Sequence, residues 1–321
     1  MKRTTKIALV LLVLGAILIG IGWWNHGNKG VVWSSNPRGM RVIQHSKMSY
    51  QPGAYHKIVV DAQAPVTIKT GNTDRVSVSY LDKTAGRPTA TVSKGTLTVR
   101  GGKQAAAMSK TFIGFSESDY TNGGVLITVP RDKQLDSIDV KRESKGVSLH
   151  HLTVDQVNVR SSDDVSLYDL TVKRDVTVHN TNGDVWVSQV KANRLDLDAG
   201  NGDTAINSSR LAATNNRMVS ENGDILMSDT KLGGGQVNNE NGDIHLESNR
   251  LTKTLTATTS DGDITAHVAQ AAGVKSVVKD ADMGDIKVKG HAQHSGYWRH
   301  PDAQAQYKLT AATGDITVSV N

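Results

Sequence analysis

Apolar and polar residues alternate in short runs over most of the chain, as at Val185 and Val187 or at Ile244 and Leu246. A period of two predicts strands with one buried face. In the second half each run follows a Gly-Asp step. Gly, and the Asn that often precedes it, tolerate positive φ, and Asp can hydrogen-bond nearby backbone N–H groups, so the step predicts a turn. The seven turns are Asn182-Gly183-Asp184, Asn201-Gly202-Asp203, Asn222-Gly223-Asp224, Asn241-Gly242-Asp243, Asp261-Gly262-Asp263, Met283-Gly284-Asp285 and Thr313-Gly314-Asp315.

The interval between these turns predicts the architecture. Their glycines are 19, 21, 19, 20, 22 and 30 residues apart, and weaker copies at Lys145-Gly146-Val147 and Asp163-Asp164-Val165 bring the number of units to about nine. Strand–turn–strand units fit either the hairpins of a barrel or sandwich, or the coils of a solenoid. The near-constant period and the repeated turn favour the solenoid. We therefore predict an all-β, single-stranded β-solenoid, β-helix-like, with about 20 residues per coil.

The first 24 residues predict a membrane anchor. Residues 7–24 carry no charge, and a helix of that length spans about 27 Å, close to the hydrocarbon core of a bilayer. Three basic residues precede the segment and a tandem tryptophan ends it, a pattern typical of an uncleaved anchor. A cleaved signal peptide, the alternative, has a shorter apolar region and a small-residue cleavage site. We predict a cytoplasmic tail over 1–6, a transmembrane helix over 7–24 and an extracellular remainder, as a single-pass protein of the cell membrane.

The rest of the chain divides by composition. Residues 25–54 are polar and rich in Gly and Pro, which predicts a tether. Residues 55–140 contain strand-like runs without the Gly-Asp turn and are expected to form an irregular β cap or first coils, and residues 141–321 carry the repeats. The net charge is +6, but the repeats hold 19 basic and 23 acidic residues, so the excess of positive charge lies before them. That basic half could meet anionic lipid or a wall polymer, the alternative being scattered solvated charge.

Three features together resemble the bacterial putative-adhesin family, also called domain of unknown function 4097, a family of β-strand repeats. They are the repeated Asn-Gly-Asp-Ile/Val turn, the entry segment Tyr55-His56-Lys57-Ile58-Val59-Val60 with the runs that follow it, and Ile127-Thr128-Val129-Pro130 leading into 135–140. The resemblance covers about residues 55–321. It implies an extracytoplasmic β-solenoid on the cell envelope, often in Gram-positive bacteria beside membrane anchors and envelope-stress genes. It implies no catalytic residue, and the 30-residue spacing of the last unit departs from the family pattern.

The carboxylates of the turns are the first candidate chemistry. Stacked coils would place them along one edge about 4.8 Å apart, where like charges repel unless each is hydrogen-bonded or shares a cation. Structural capping of the turns is the main interpretation. A calcium ladder is the alternative, although calcium-binding β-rolls use shorter, nonapeptide repeats. The carboxylates are Asp184, Asp203, Asp224, Asp243, Asp263, Asp285 and Asp315, and the turn glycines are Gly183, Gly202, Gly223, Gly242, Gly262, Gly284 and Gly314.

The longer last unit contains a candidate ligand loop. Its three histidines could bind a metal, and its aromatic rings could stack on a sugar. An exposed loop or an end cap is the alternative. Elsewhere His150 and His151 are adjacent in a predicted strand, so we expect their side chains on opposite faces. The residues of the candidate loop are His291, His294, Tyr297, Trp298, Arg299 and His300.

The composition and the missing motifs limit the classes of function that we expect for this chain. The chain has no cysteine, which excludes thiol enzymes, cysteine-ligated metal centres and disulfide scaffolds. It has no zincin, serine-hydrolase, P-loop or dinucleotide motif and no basic run interleaved with aromatics, so we expect no catalysis, no cofactor and no nucleic-acid partner. We predict a membrane-anchored, adhesin-like protein that binds or scaffolds cell-envelope components, with an anionic wall polymer or surface glycan as partner. The alternatives are an accessory of envelope-stress signalling acting on a membrane protein and, less favoured, a carbohydrate-active enzyme.

Overall fold

A computed structural model describes residues 3–24, 31–35, 38–42, 45–81, 88–101, 108–113, 124–280, 283–288, 291–293 and 296–320. The chain forms two compact units. The first comprises residues 1–47, 79–87 and 102–123, and the second comprises residues 48–78, 88–101 and 124–321.

The first unit contains one helix and a small antiparallel sheet. The helix is α1 (Arg3–Trp24), and its described side chains are largely exposed. The sheet has the order β2-β1-β9, from β1 (Val31–Ser35), β2 (Arg38–Val42) and β9 (Met108–Ile113). Strands β1 and β2 lie within residues 25–54, the stretch predicted to be a tether. Two further strands, β3 (His45–Tyr50) and β6 (Arg75–Leu81), include residues of both units.

The second unit is the predicted β-solenoid. Its early strands are β4 (Lys57–Asp61), β5 (Val66–Gly71), β7 (Thr89–Ser93), β8 (Thr96–Arg100), β10 (Gly124–Pro130), β11 (Leu135–Ser144), β12 (Val147–Ser161), β13 (Val165–Val172) and β14 (Asp175–Asn180). The regular coils comprise β15 (Val185–Ser188), β16 (Lys191–Ala192), β17 (Arg194–Asn201), β18 (Thr204–Asn207), β19 (Arg210–Leu211), β20 (Asn216–Asn222), β21 (Ile225–Ser228), β22 (Lys231–Leu232), β23 (Gly235–Asn241), β24 (Ile244–Glu247), β25 (Arg250–Leu251), β26 (Thr254–Asp261) and β27 (Ile264–Val268). The last strands are β28 (Gly273–Val278), β29 (Ile286–Val288), β30 (His291–Gln293), β31 (Tyr297–Arg299), β32 (Gln306–Thr313) and β33 (Ile316–Val320).

Each regular coil has three sides. A strand that follows the Gly-Asp turn pairs in parallel with its equivalent in the next coil, as β21 pairs with β24 and β24 with β27; we call this side the front sheet. The strands before the turn form the back sheet, as β20 pairs with β23 and β23 with β26. The two-residue strands β16, β19, β22 and β25 form a narrow side sheet. The one core between these sides consists of aliphatic ladders, which is consistent with the 4% aromatic content.

The order of coils in space differs from their order in the chain at both ends. Strand β33 lies between β27 and β29, and β32 lies between β26 and β28, so the final coil is inserted before the one that precedes it in sequence. The ladder of isoleucines accordingly runs Ile225, Ile244, Ile264, Ile316, Ile286, each at most 1% exposed. At the other end β5 lies between β10 and β12.

Antiparallel strands terminate both ends. Strand β7 pairs with β8 at one end, and β30 and β31 pair with β29 and β28 at the other. A strand of opposite direction interrupts the parallel register, so a further coil cannot simply continue the stack.

Candidate functional site

The Gly-Asp turns stack directly on one another, and the glycines permit this. Gly223 has φ +107°, a conformation that L residues with side chains rarely adopt. A Cβ atom there would overlap the carbonyl oxygen of Gly202 in the neighbouring coil. The same overlap with the preceding turn would occur at Gly242 and Gly262, so the turn position requires glycine for both its dihedral angle and its clearance.

The turn aspartates form a ladder of hydrogen bonds between coils. The backbone N–H of each aspartate donates to Oδ1 of the aspartate in the adjacent turn, at 2.7–3.0 Å. Each acceptor carboxylate thereby satisfies a backbone donor of its neighbour, an arrangement that offsets repulsion between stacked charges. The ladder runs in the order Asp164, Asp184, Asp203, Asp224, Asp243, Asp263, Asp315, Asp285.

Asparagines form a second ladder beside the first. The Nδ2 of Asn201 donates to Oδ1 of Asn182, that of Asn222 to Asn201, and that of Asn241 to Asn222, at 3.0–3.1 Å. The Asn-Gly-Asp sequence therefore supplies two parallel rows of hydrogen bonds along one edge of the solenoid. The sequence predicts a row of stacked carboxylates at this edge, but not the second row of asparagines.

The inserted final coil carries the one turn carboxylate, Asp315, that pairs with a lysine among the described residues. The Nζ of Lys287 forms a salt bridge and hydrogen bond with Oδ2 of Asp315. This bond, together with the backbone N–H of Asp285, holds the pKa of Asp315 below its usual range.

One part of the ladder has the composition of a cation site. Ligand atoms of Asp224, Asp243 and His245 lie within 4.8 Å of one another. The Oδ1 atoms of both aspartates already accept backbone N–H groups, and Nε2 of His245 lies 4.0 Å from Oδ2 of Asp243. The remaining carboxylate oxygens and the imidazole are ligands that a divalent cation could use, but they lie on an exposed or half-exposed edge.

The candidate ligand loop forms the end of the solenoid. His291 begins β30, and Tyr297, Trp298 and Arg299 form β31, which pairs with β28. Tyr297 packs against the core, Trp298 is 64% exposed with Lys275 Nζ 5.3 Å from its ring centroid, and Arg299 donates to the carbonyl of Gln270 at 2.6 Å. His300 is exposed with φ +45°, and His294 lies outside the described residues. Within the described part of the chain, His291 and His300 belong to no cluster of metal ligands.

The expectation that His150 and His151 point to opposite faces is wrong. His151 has φ +56°, a left-handed conformation that interrupts the alternation of β12, so both side chains point outward. Their ring centroids are 6.5 Å apart, and both lie beside Tyr168 of the next coil, at 6.2 and 5.4 Å. Left-handed residues occupy this same corner in later coils, at Asp169, Gln189, Ser208, Asp229 and Ser248.

These histidines contribute to an exposed aromatic surface that sequence reasoning missed. Tyr168 and Trp186 lie on the outer side of the front sheet in adjacent coils, where Tyr168 pairs with Ser188 and Trp186 with Ser166. They are 36% and 40% exposed. We call His150, His151, Tyr168 and Trp186 the ring patch. The sequence did contain a signal, because two aromatic residues occupy positions where the alternation predicts outward-facing polar side chains. Tyr168 follows Leu167, and Trp186 lies between Val185 and Val187.

One polar contact holds a member of the ring patch. Nδ1 of His151 lies 2.8 Å from Oδ2 of Asp169. Burial, with smaller effects of nearby His151 and Lys69, lowers the pKa of His150. The patch therefore presents its rings on the outer side of the front sheet, with His150 favouring its neutral form.

The chain was compared with protein-family profiles and with solved structures. The profile of Toastrack DUF4097 matches residues 55–319. Among solved structures, a putative adhesin from Parabacteroides distasonis is 16% identical, covering 87% of this chain and 97% of that one, with a TM-score of 0.43. A putative adhesin from Bacteroides fragilis is 12% identical over 87% and 97%, with a TM-score of 0.36. A putative lipid binding protein from Parabacteroides distasonis is 10% identical over 85% and 96%, with a TM-score of 0.31.

No curated protein matches the chain at a significant level. The family profile covers the described solenoid, with its stacked Gly-Asp turns, almost from its first strand to its last. The chain belongs to the Toastrack DUF4097 family.

Proposed function

We propose that this protein is a membrane-anchored, non-catalytic scaffold that binds cell-envelope components through exposed faces of its solenoid. The observation that carries the proposal is the ring patch. Exposed Tyr and Trp rings on a rigid sheet offer large contact area at low cost in side-chain entropy, and such residues are enriched at binding surfaces. Rings that stack on flat apolar faces suit the sugar rings of an envelope glycan.

The anchor is supported by α1. Its segment Thr5–Gly22 has a mean hydropathy of 2.4 and is long and apolar enough to cross a membrane. A signal sequence would meet the same criterion. The basic residues before it and the tandem tryptophan at its end favour the anchor, with the solenoid outside the cell.

The absence of catalysis is supported by the way the turn carboxylates are used. A general acid of a glycosidase sits in a site whose surroundings raise its pKa, and its partner carboxylate faces the same substrate bond. The turn aspartates instead lie along an exposed or half-exposed edge, and the Oδ1 atoms of those from Asp184 to Asp263 accept backbone N–H groups. This is the arrangement of a structural ladder.

The test of binding is co-sedimentation of the full-length chain, in detergent micelles, with isolated bacterial cell walls in about 0.5 M salt, where long-range charge effects are screened. Tyr168→Ala and Trp186→Ala should each lower the bound fraction several-fold. The matched control is Trp298→Ala, which removes an exposed ring at the end of the solenoid and should leave binding unchanged. Equal losses in all three variants, or no binding by the wild type, would overturn the proposal.

The test of location uses the absence of cysteine. Gln236→Cys places a thiol on the exposed side of β23, and Val237→Cys places one in the core. On intact cells a membrane-impermeant maleimide should label the first variant and not the second. Labelling of Gln236→Cys only after lysis would place the solenoid inside the cell.

A further inference from the structure

The side sheet carries a row of basic residues on four consecutive coils. Lys191 pairs with Arg210, Arg210 with Lys231 and Lys231 with Arg250 in exact register. Each is the first residue of its two-residue strand and is exposed, and the residue after it points inward. We call these four residues the cation ladder. With neighbouring strands about 4.8 Å apart, it is about 14 Å long and one residue wide.

The ladder brings like charges together without an internal counter-charge. Among the described residues, no member forms a salt bridge, and none has a side-chain hydrogen bond. The neighbouring corner behaves differently, because Lys173 pairs with Asp155 and Arg194 with Asp196. The acidic residues closest in sequence are Asp229 and Glu247, two and three positions before a ladder member, and neither forms an ion pair with it.

The surroundings leave the ladder accessible. All four ladder residues are exposed, and Ala212 and Ala213 follow Arg210 while the buried Gly233 and Gly234 follow Lys231. In these two coils no long side chain follows the ladder, whereas Asn193 and Arg194 follow Lys191, and Thr252 and Lys253 follow Arg250. Stacked cations that are exposed and unpaired are stabilised by an external anion whose charges repeat along the same line.

We propose that the cation ladder binds a linear phosphodiester polymer lying along the solenoid axis; this inference rests on the proposed function and names a partner class for it. Arginine can bind a phosphate in bidentate fashion and lysine as a point charge, so alternating Lys and Arg suit successive phosphates of a flexible chain. A row one residue wide matches a polymer strand better than the plane of headgroups in an anionic bilayer. The surface lies within the repeats, where acidic residues outnumber basic ones, and not in the basic region before them.

The test uses the full-length chain in nanodiscs of neutral phosphatidylcholine and a poly(glycerol phosphate) chain as the probe. Four phosphate contacts on a flexible polyanion predict that log K falls with log salt at a slope of about −3, or about 50-fold between 50 and 200 mM. Arg210→Gln combined with Lys231→Gln should lower the affinity at least tenfold at low salt and roughly halve the slope. Arg210→Lys combined with Lys231→Arg keeps the charges and should stay within about threefold of the wild type.

The matched control removes the same charge elsewhere. Lys275 and Lys308 are exposed and pair in register on the back sheet, so Lys275→Gln with Lys308→Gln removes another stacked pair of cations. This control should leave affinity and slope unchanged. Equal losses in the ladder variant and the control would show a net-charge effect and overturn the proposal, as would wild-type binding without salt dependence.

Two further arms separate the sources of the anion and the two proposals. Tighter binding to phosphatidylglycerol vesicles than to the polymer, lost in the ladder variant, would assign the ladder to a membrane and overturn the polymer. Wall binding in high salt that depends on Tyr168 and Trp186, with no polymer binding at low salt, would support the proposed function. It would overturn the proposal that the cation ladder binds a polymer. Polymer binding that the ladder variant loses, without any wall binding, would support polymer binding by the cation ladder and overturn the proposed function.

Discussion

Asp243 offers the sharpest test of how the turn ladder is held together, because the candidate cation site includes it. Its Oδ1 accepts the backbone N–H of Asp263 at 2.8 Å, and its own N–H donates to Asp224. Asp243→Ala removes the acceptor and the charge, whereas Asp243→Asn removes only the charge. The two variants therefore separate the hydrogen bond from the electrostatics.

The structure indicates the size of each effect. A hydrogen bond to a charged group contributes about 1.5–3 kcal/mol when well shielded, and Asp243 is 41% exposed, so we expect the loss of this bond in Asp243→Ala to cost about 1–2 kcal/mol before any relief of repulsion. In Asp243→Asn the bond loses its charge assistance, about 1 kcal/mol. Two neighbouring carboxylates about 4.8 Å away each repel Asp243 by about 0.9 kcal/mol in water, and both variants lose this repulsion, so Asp243→Ala should be about 1 kcal/mol less stable than Asp243→Asn, which keeps a neutral hydrogen bond. Asp243→Asn should therefore stay within about 1 kcal/mol of the wild type, on either side.

The assay is urea unfolding of the full-length chain in detergent, followed by circular dichroism, with and without calcium. We expect the midpoint of Asp243→Ala to lie below that of Asp243→Asn, Asp243→Asn to stay near the wild type, and calcium to have no effect on any of the three proteins. A calcium-dependent rise in the wild-type midpoint that Asp243→Asn abolishes would refute the prediction that hydrogen bonds alone hold the turn aspartates together, and would establish a calcium site on their carboxylates.

Three other changes test the interior and the ring patch, all by the same unfolding assay. Gly223→Ala should cost more than about 2 kcal/mol, because of its positive φ and its overlap with the preceding turn, while Gly53→Ala, where a Cβ meets nothing within 4 Å, should be neutral; equal effects would contradict the stacking argument. Asn249→Ala should cost about 2–4 kcal/mol, because its buried amide accepts one backbone N–H and donates to one carbonyl, at 3.0 and 2.8 Å, whereas the surface change Asn238→Ala should cost little. His150 has a folded-state pKa below its unfolded value, so its protonation opposes folding and stability falls as pH drops through about 6.5. His150→Gln should reduce the loss of stability between about pH 7.5 and 5.5, and an unchanged pH profile would contradict the lowered pKa.

The coil and its turn could be predicted from local pattern. The sequence alternates with a period of two, places aliphatic residues at every second position of its strands and repeats a Gly-Asp step about every 20 residues. These features identify a strand-rich solenoid, because each coil repeats the same local conformations. The described core consists of those residues, and Ile225, Ile244 and Ile264 stack as the period implies. A basic residue eight positions after each of Gly183, Gly202, Gly223 and Gly242 was likewise visible as a pattern.

The end of the stack could not be predicted from this pattern. The 30-residue interval before Gly314 shows that the last unit is unusual, but nothing in it shows that β32 and β33 insert between earlier strands. Any coil with an apolar phase can pair with any other, so long-range packing decides the order. Buried Tyr307 illustrates this, since its hydroxyl donates to the carbonyl of Asn249, 58 positions earlier in the chain.

By itself the sequence determined the strand period, the turn chemistry, the apolar N-terminal helix and the residues that face the core, because these depend on neighbours within one coil. Only the tertiary structure decided which exposed groups meet. His150, His151 and Tyr168 come together because one left-handed residue breaks the alternation, and four basic residues align because the side sheet holds their strands in register. Such contacts join residues about 20 positions apart, and stacking distance, not local propensity, determines them.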